Sequence, residues 1–118
     1  MSDEYVKVND LTSFSRRVNL KVKVIEKQEP KSVVSSKDGS TYTVAEALIA
    51  DETGCVLLNL WNEDVKKFNV GDVLEIKNGY VKPFRGSIRL NIGRYGEANI
   101  IEEDMAKVNS ENNVSERT

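Results

Sequence analysis

Residues 17–27, RVNLKVKVIEK, alternate with a strict period of two, so that Val18, Leu20, Val22 and Val24 fall on one side and Arg17, Asn19, Lys21 and Lys23 on the other. A helix turns every 3.6 residues and would scatter this series, whereas a pleated strand separates it into two faces. One face is therefore apolar and the other basic. The same period returns at Cys55–Trp61, where Val56, Leu58 and Leu60 oppose Leu57, Asn59 and Trp61. It returns again at Val73–Val81 through Leu74 and Ile76, and once more where Ile88, Leu90 and Ile92 oppose Arg89 and Asn91. Thr41–Ala50 is rich in strand-forming residues and becomes apolar toward Leu48 and Ile49, which makes it a further strand.

The breaks between these segments are equally legible. Pro30 lacks a backbone donor and ends regular pairing, and Ser32–Ser40 with Asp38-Gly39 reads as a polar loop. Asp51-Glu52-Thr53-Gly54 is a tight hairpin connection, with Gly54 expected to supply a turn conformation that other residues resist. The run NEDVKKFN at 62–69 is the one helical segment, with Asn62 as its expected cap and Val65 and Phe68 on one face. Gly79 is expected to mark a bulge or bend in the fourth strand. Residues 1–16 carry a short apolar series, Val6, Val8 and Leu11, expected to pack on the barrel, followed by TSFS with Phe14. Residues 102–118 are acidic and polar, and read as a solvated tail.

Five strands in residues 17–101, with a short helix between the third and fourth, predict an all-β fold. The expected form is an antiparallel Greek-key barrel, because closing the sheet removes its exposed edges. That order has the plan of the oligonucleotide/oligosaccharide-binding fold, the OB-fold; a sandwich would normally need seven or more strands. A chain of 118 residues makes one such domain.

Charge distribution narrows the function. The net charge is −2, yet residues 16–37 hold seven cations against two acids and residues 77–96 hold five cations against none. Two basic blocks in an acidic chain suit a polyanion-binding groove with an acidic back. Histidine is absent and Cys55 is the one cysteine, which excludes an internal disulfide and a zinc site of the usual Cys/His kind. No phosphate-binding glycine motif is present, and Asp51, Glu52, Glu63 and Asp64 lie at a turn and a helix start where backbone roles explain them. Neither a catalytic set, a cofactor nor a metal is expected. No apolar run reaches a membrane span and the polar N-terminus is unlike a secretory signal, so the expected location is the cytoplasm, beside the nucleoid.

The stretch 78–91, NGYVKPFRGSIRLN, joins two strands and mixes Tyr80 and Phe84 with Lys82, Arg85 and Arg89. Rings flanked by cations suit a flexible chain of flat bases and phosphates. Trp61 alternates away from Val56, Leu58 and Leu60, which places a third ring outside the barrel. Lys21, Lys23, Lys82, Arg85 and Arg89 are the expected phosphate contacts, with Lys37 closing the groove from the loop after the first strand. Asn59 and Asn91 are candidates for bonding base edges.

The runs VNLKVKVIE, EALIADETG, VLLNLWNED and FNVGDVLEIKNGYVKPFRGSIRLNIG, spread over residues 6–101, resemble the archaeal single-stranded DNA-binding proteins. The single OB domain of that family is similar to those of replication protein A and of the human small single-stranded DNA-binding proteins. The resemblance implies base stacking on Trp61, Tyr80 and Phe84, and binding of single-stranded DNA with little sequence preference in replication, recombination and repair. A monomer in solution that meets replication and repair proteins is the expected state. Tyr80 stands where relatives often carry tryptophan, and a short acidic and polar tail stands where many relatives continue into a long one used for protein partners, so recruitment of partners through a tail is not expected. The rival readings are a single-stranded RNA or tRNA module, an OB subunit that fills a protein partner's pocket, and an oligosaccharide-binding OB domain.

Overall fold

The computed structural model describes residues 5–34, 37–62, 64–84, 87–102, 105 and 107–114. Six strands are present among them: β1 (Val18–Lys27), β2 (Lys31–Val34), β3 (Thr41–Ala50), β4 (Cys55–Trp61), β5 (Val73–Phe84) and β6 (Ser87–Ile100). One helical turn, α1 (Asp64–Lys67), separates β4 from β5, and a 3-10 turn, Val8–Asp10, precedes β1. The sheet runs β1-β5-β6-β4-β3-β2 and closes through a second pairing of β1 with β3. The all-β barrel read from the alternation is the observed fold. One closing pair is parallel, β4 with β6, where Leu58 faces Leu90 and Asn59 faces Asn91.

Inside, the predicted apolar series meet as one cluster: Leu20, Val22 and Val24 of β1 with Ala47, Ile49, Leu58, Leu60, Leu74, Ile76 and Leu90, all essentially without solvent contact. Both barrel ends are plugged. At one end α1 lies below the barrel with Val65 and Phe68 buried, and Lys27 Nζ donates to the Phe68 carbonyl at 2.9 Å. At the other, Val8 and Leu11 of the lead-in segment are buried. Asp51 joins that end together. Its carboxylate accepts from the amides of Val8 (2.9 Å) and Thr53 (2.8 Å) and from the Thr53 hydroxyl (2.6 Å). A buried carboxylate is tolerated when its lone pairs are filled in this way.

Several expectations are corrected. The polar loop expected at Ser32–Ser40 begins with β2, which pairs with β3 from Lys31↔Val44 to Val34↔Thr41. Pro30 interrupts the first strand and does not end it: beyond the break, β2 continues along β3 where β1 left off at Lys27↔Ala47. The β-branched pair Val33-Val34 was the available signal. The side chain expected to cap α1 turns to β3: Asn62 sits at φ +52°, its amide donates to the Thr43 carbonyl at 2.7 Å and its Oδ1 accepts from the Thr43 amide at 3.2 Å, prolonging the β3–β4 hairpin, while its backbone carbonyl accepts from the Val65 amide at 3.2 Å.

The C-terminal segment differs most from its reading as a solvated tail. Residues 107–114 return to the Asp51 end of the barrel and bury Val114 completely. The Cys55 amide donates to the Asn112 carbonyl at 2.9 Å, the Asn109 amide to the Asp51 carbonyl at 2.8 Å, and Asn112 Nδ2 to the Thr53 carbonyl at 2.9 Å. One apolar side chain and a set of asparagine bonds suffice, because the barrel end supplies the rest of the surface. Gly54 is explained by the same contact. Its φ is not positive, so no special turn conformation is needed, but a Cβ there would lie 2.8 Å from the Asn112 carbonyl oxygen. Gly54→Ala is expected to push residues 107–114 off the barrel and lower stability by about 1–3 kcal/mol, read by urea denaturation alongside faster proteolytic loss of the C-terminal segment.

Candidate functional site

The outward face of β3, β4, β6 and β5 forms a groove of about 450 Å³. Its position follows from strand register. Glu46 on β3 faces Asn59 on β4, Asn59 faces Asn91 on β6, and Asn91 faces Tyr80 on β5, which makes one row across the sheet. Beside that row, Arg89 faces Lys82 on β5; on the opposite flank, Val44 faces Trp61. Strand spacing and rise place the Trp61 and Tyr80 backbones roughly 12 Å apart.

Trp61 is 41% exposed and Tyr80 36% exposed, so both rings present a face to solvent. Between them the floor is polar and ordered. Asn59 Nδ2 donates to Asn91 Oδ1 at 3.2 Å, and Asn91, only 5% exposed, also directs its Nδ2 toward the Arg89 carbonyl at 3.5 Å. Arg89 is largely covered, and its guanidinium reaches across β4 to an ion pair with Glu46 Oε1. The floor therefore combines two bonded amides with a neutralised cation.

Tyr80 faces outward because of an irregularity in β5. Leu74 and Ile76 point inward, and unbroken alternation would carry Asn78, Tyr80 and Lys82 inward with them. Against β1, the register instead shifts between Leu20↔Ile76 and Val18↔Gly79, giving β5 one extra residue. Asn78 occupies the shift in a left-handed conformation, φ +56°, and its amide donates to Asn19 Oδ1 at 3.1 Å. Gly79 and Val81 then face the core, and Tyr80 and Lys82 face the groove. The bulge expected at Gly79 thus centres on Asn78. Gly79 has a packing reason, since a Cβ there would come within 3.3 Å of both Ile76 and Leu90.

Of the residues singled out from sequence, the fold brings together Trp61, Tyr80, Asn59, Asn91, Lys82 and Arg89 along the groove. Lys21 and Lys23 are not among its lining residues. Lys21 faces Glu75 on the first half of β5 and stands 5.0 Å from the centre of the Tyr5 ring. The Tyr5 hydroxyl donates to Glu75 Oε2 at 2.6 Å, and this bond raises the phenol above its ordinary pKa. Lys23 lies between Ala50 and Val73. Lys37 is exposed in the β2–β3 connection. Phe84 closes β5 opposite Ser87; its side chain, and Arg85 entirely, lie outside the described residues. Val33, Val44 and Glu46 line the groove without having been singled out. Glu46 had a signal in EALIA, since it is a charge inside a strand that alternates with buried alanines.

Over residues 11–100 the chain matches the protein family described as single-stranded DNA binding protein Ssb-like, OB fold. It is 36% identical over 87 residues to the single-stranded DNA binding protein Ssb of Saccharolobus solfataricus, a match covering 74% of this chain and 57% of that one. The chain thus spans little more than half the length of that relative. It is 30% identical over 120 residues to an uncharacterised protein of Arabidopsis thaliana, covering 94% of this chain and 78% of the relative. The solution structure of a hypothetical protein from Arabidopsis thaliana superposes with a TM-score of 0.79 at 28% identity, covering 98% of this chain and 85% of that one.

Deleting Asn78 removes the extra residue and reverses the orientation of every β5 side chain beyond it, turning Tyr80 and Lys82 inward and Val81 outward. The deletion is expected to lower stability by at least about 3 kcal/mol, measured by urea denaturation against an Asn78→Gly variant that keeps the bulge and stays within about 1 kcal/mol of the parent.

Proposed function

The chain belongs to the Ssb-like family of single-stranded DNA-binding OB-fold proteins, and on that premise we propose that it binds single-stranded DNA in the β3–β4–β6–β5 groove with little sequence preference. The observation that carries this reading is the pair of exposed rings, Trp61 and Tyr80, flanking a floor of bonded asparagines. Any base has a flat face to stack, so rings that accept bases by their faces bind without selecting sequence. The amides of Asn59 and Asn91 already satisfy one another in part, and serve to keep the floor rigid while offering their remaining valences to base edges.

Phosphate attraction falls chiefly to Lys82 on the exposed rim. Arg89 orders the floor, because its charge is met by Glu46 and a phosphate would have to displace that carboxylate. Phe84 and Arg85, at the turn of the β5–β6 hairpin, are proposed as a third ring and a further cation. Lys37 reaches bound DNA from the β2–β3 connection in this reading. Lys21 and Lys23 are assigned at most a long-range electrostatic role, since they lie on the half of β1 away from the groove. The role is binding rather than catalysis: a monomer coating exposed strands during replication, recombination and repair in the cytoplasm, beside the nucleoid. Among the described residues, no helix is long and apolar enough to cross a membrane.

Titration with oligo-dT while following Trp61 emission tests the proposal. Saturable, salt-sensitive quenching is expected, and its absence sinks the reading. Trp61→Ala, followed by anisotropy of a labelled oligomer, and Tyr80→Ala are each expected to weaken binding by about 1–3 kcal/mol. Lys82→Gln is expected to reduce the slope of log affinity against log salt by about 0.7. Matched RNA oligomers binding more tightly than DNA would favour the RNA module. Unaltered partner binding by variants that no longer hold DNA would favour a protein-interaction subunit.

A further inference from the structure

Phe14 is 86% exposed, the highest exposure of any large apolar side chain described. It is nevertheless held in an ordered turn. The Phe14 amide donates to Thr12 Oγ1 at 3.2 Å, the Thr12 amide to Ser15 Oγ at 2.9 Å, and the Ser15 amide to the Thr12 carbonyl at 3.1 Å. A single exposed apolar side chain is ordinary on a protein surface, so what distinguishes this ring is its fixed place and the residues beside it.

The turn is docked at the edge of the groove. The Val81 amide donates to the Ser15 carbonyl at 2.9 Å, and Val18 pairs with Gly79, two residues earlier in β5. Residues 15–18 therefore run beside Gly79–Val81, on the side of β5 away from β6. Tyr80 and Lys82, the groove-facing residues of that stretch, stand between the floor and this segment. Arg16 and Arg17 follow Phe14 and are both exposed, and residues 11–17 contain no acid. A ring followed by two cations, contiguous with Tyr80 and Lys82, repeats on the far rim the chemistry of the groove itself.

We propose that Phe14, with Arg16 and Arg17, forms an outer subsite for single-stranded nucleic acid, where a base beyond the one on Tyr80 stacks on Phe14 and its phosphates meet the two arginines. The subsite rests on the groove being the binding face, as proposed above. It lengthens the bound strand across β5 and past the edge of the barrel. A short oligomer fills the groove alone, and only a longer one reaches Phe14.

Oligo-dT of about 4 and of about 12 nucleotides, spanning the usual range for one OB domain, separates the two sites. Phe14→Ala is expected to weaken the longer oligomer at least about fivefold and to leave the shorter within about twofold. Phe14→Leu should behave like Phe14→Ala, because an aliphatic side chain retains bulk but offers no face to stack. Arg16→Gln with Arg17→Gln is expected to lower the salt slope for the longer oligomer by up to about 1.4. Equal binding of the longer oligomer by parent and Phe14→Ala overturns the subsite, and so does an equal loss with both oligomers. Sedimentation supplies a further check: a parent that dimerises and a Phe14→Ala variant that does not would assign the ring to a second copy of the chain and overturn the proposal. If the parent binds neither oligomer, the groove reading itself fails, a result distinct from loss of the outer subsite alone.

Discussion

The bond from the Asn78 amide to Asn19 Oδ1 holds a one-residue bulge in the middle of β5, and the two halves of that strand depend on it differently. Below the bulge, Leu74 and Ile76 pack inward against β1; above it, Gly79 and Val81 do. Side chains alternate with a period of two, so an extra residue is the one means by which both halves can face the same core. The outward positions change phase as well, and Tyr80 and Lys82 come to stand opposite Asn91 and Arg89. The groove is a product of that change. Asn78 tolerates the left-handed backbone that the bulge needs, as asparagine does more readily than most residues.

A second set of contacts, polar ones, fastens the barrel end that Val8, Leu11 and Val114 fill. Asp51 gathers the lead-in segment and the β3–β4 turn through its carboxylate, and its backbone carbonyl accepts from Asn109. Gly54 leaves room for the Asn112 backbone, so the C-terminal segment can lie directly against the turn. The DETG sequence thus works as a docking point for both ends of the described chain as well as a hairpin. The groove lies toward the opposite end of the β3–β4 hairpin, around Val44 and Trp61, so the packing that seals one end leaves the groove uncovered.

The electrostatics of the groove are milder than the sequence blocks imply. Residues 16–37 are basic along the chain, yet β1 directs Lys21 toward Tyr5 and Glu75, and Lys27 to the Phe68 carbonyl. Arg89 reaches the groove already paired with Glu46. What remains at the floor is a hydrogen-bonding surface with Trp61 and Tyr80 beside it and Lys82 on its rim. Arg16 and Arg17, from the same basic block, are exposed beside the Gly79–Val81 stretch of β5, a placement that alternation could not reveal.

Alternation along the chain determined the barrel, its core and the outward placing of Trp61, because period two is a local property that survives folding wherever one face is buried. It also placed Asn59, Arg89 and Asn91 together on outward positions. It could not decide which strands those positions would adjoin. The Glu46–Arg89 pair joins residues 43 apart in sequence, the Asn59–Asn91 bond residues 32 apart, and Asn112 reaches Asn9 across 103. The first two pairs exist only after the sheet closes through the parallel pairing of β4 with β6, and the third only after both ends of the described chain meet at the β3–β4 turn. Tyr80 shows the division most plainly. Its ring type was legible from the start, but the face it takes was decided by an inserted residue whose backbone is held by Asn19, on another strand. Register is a property of paired strands, and no single strand carries it.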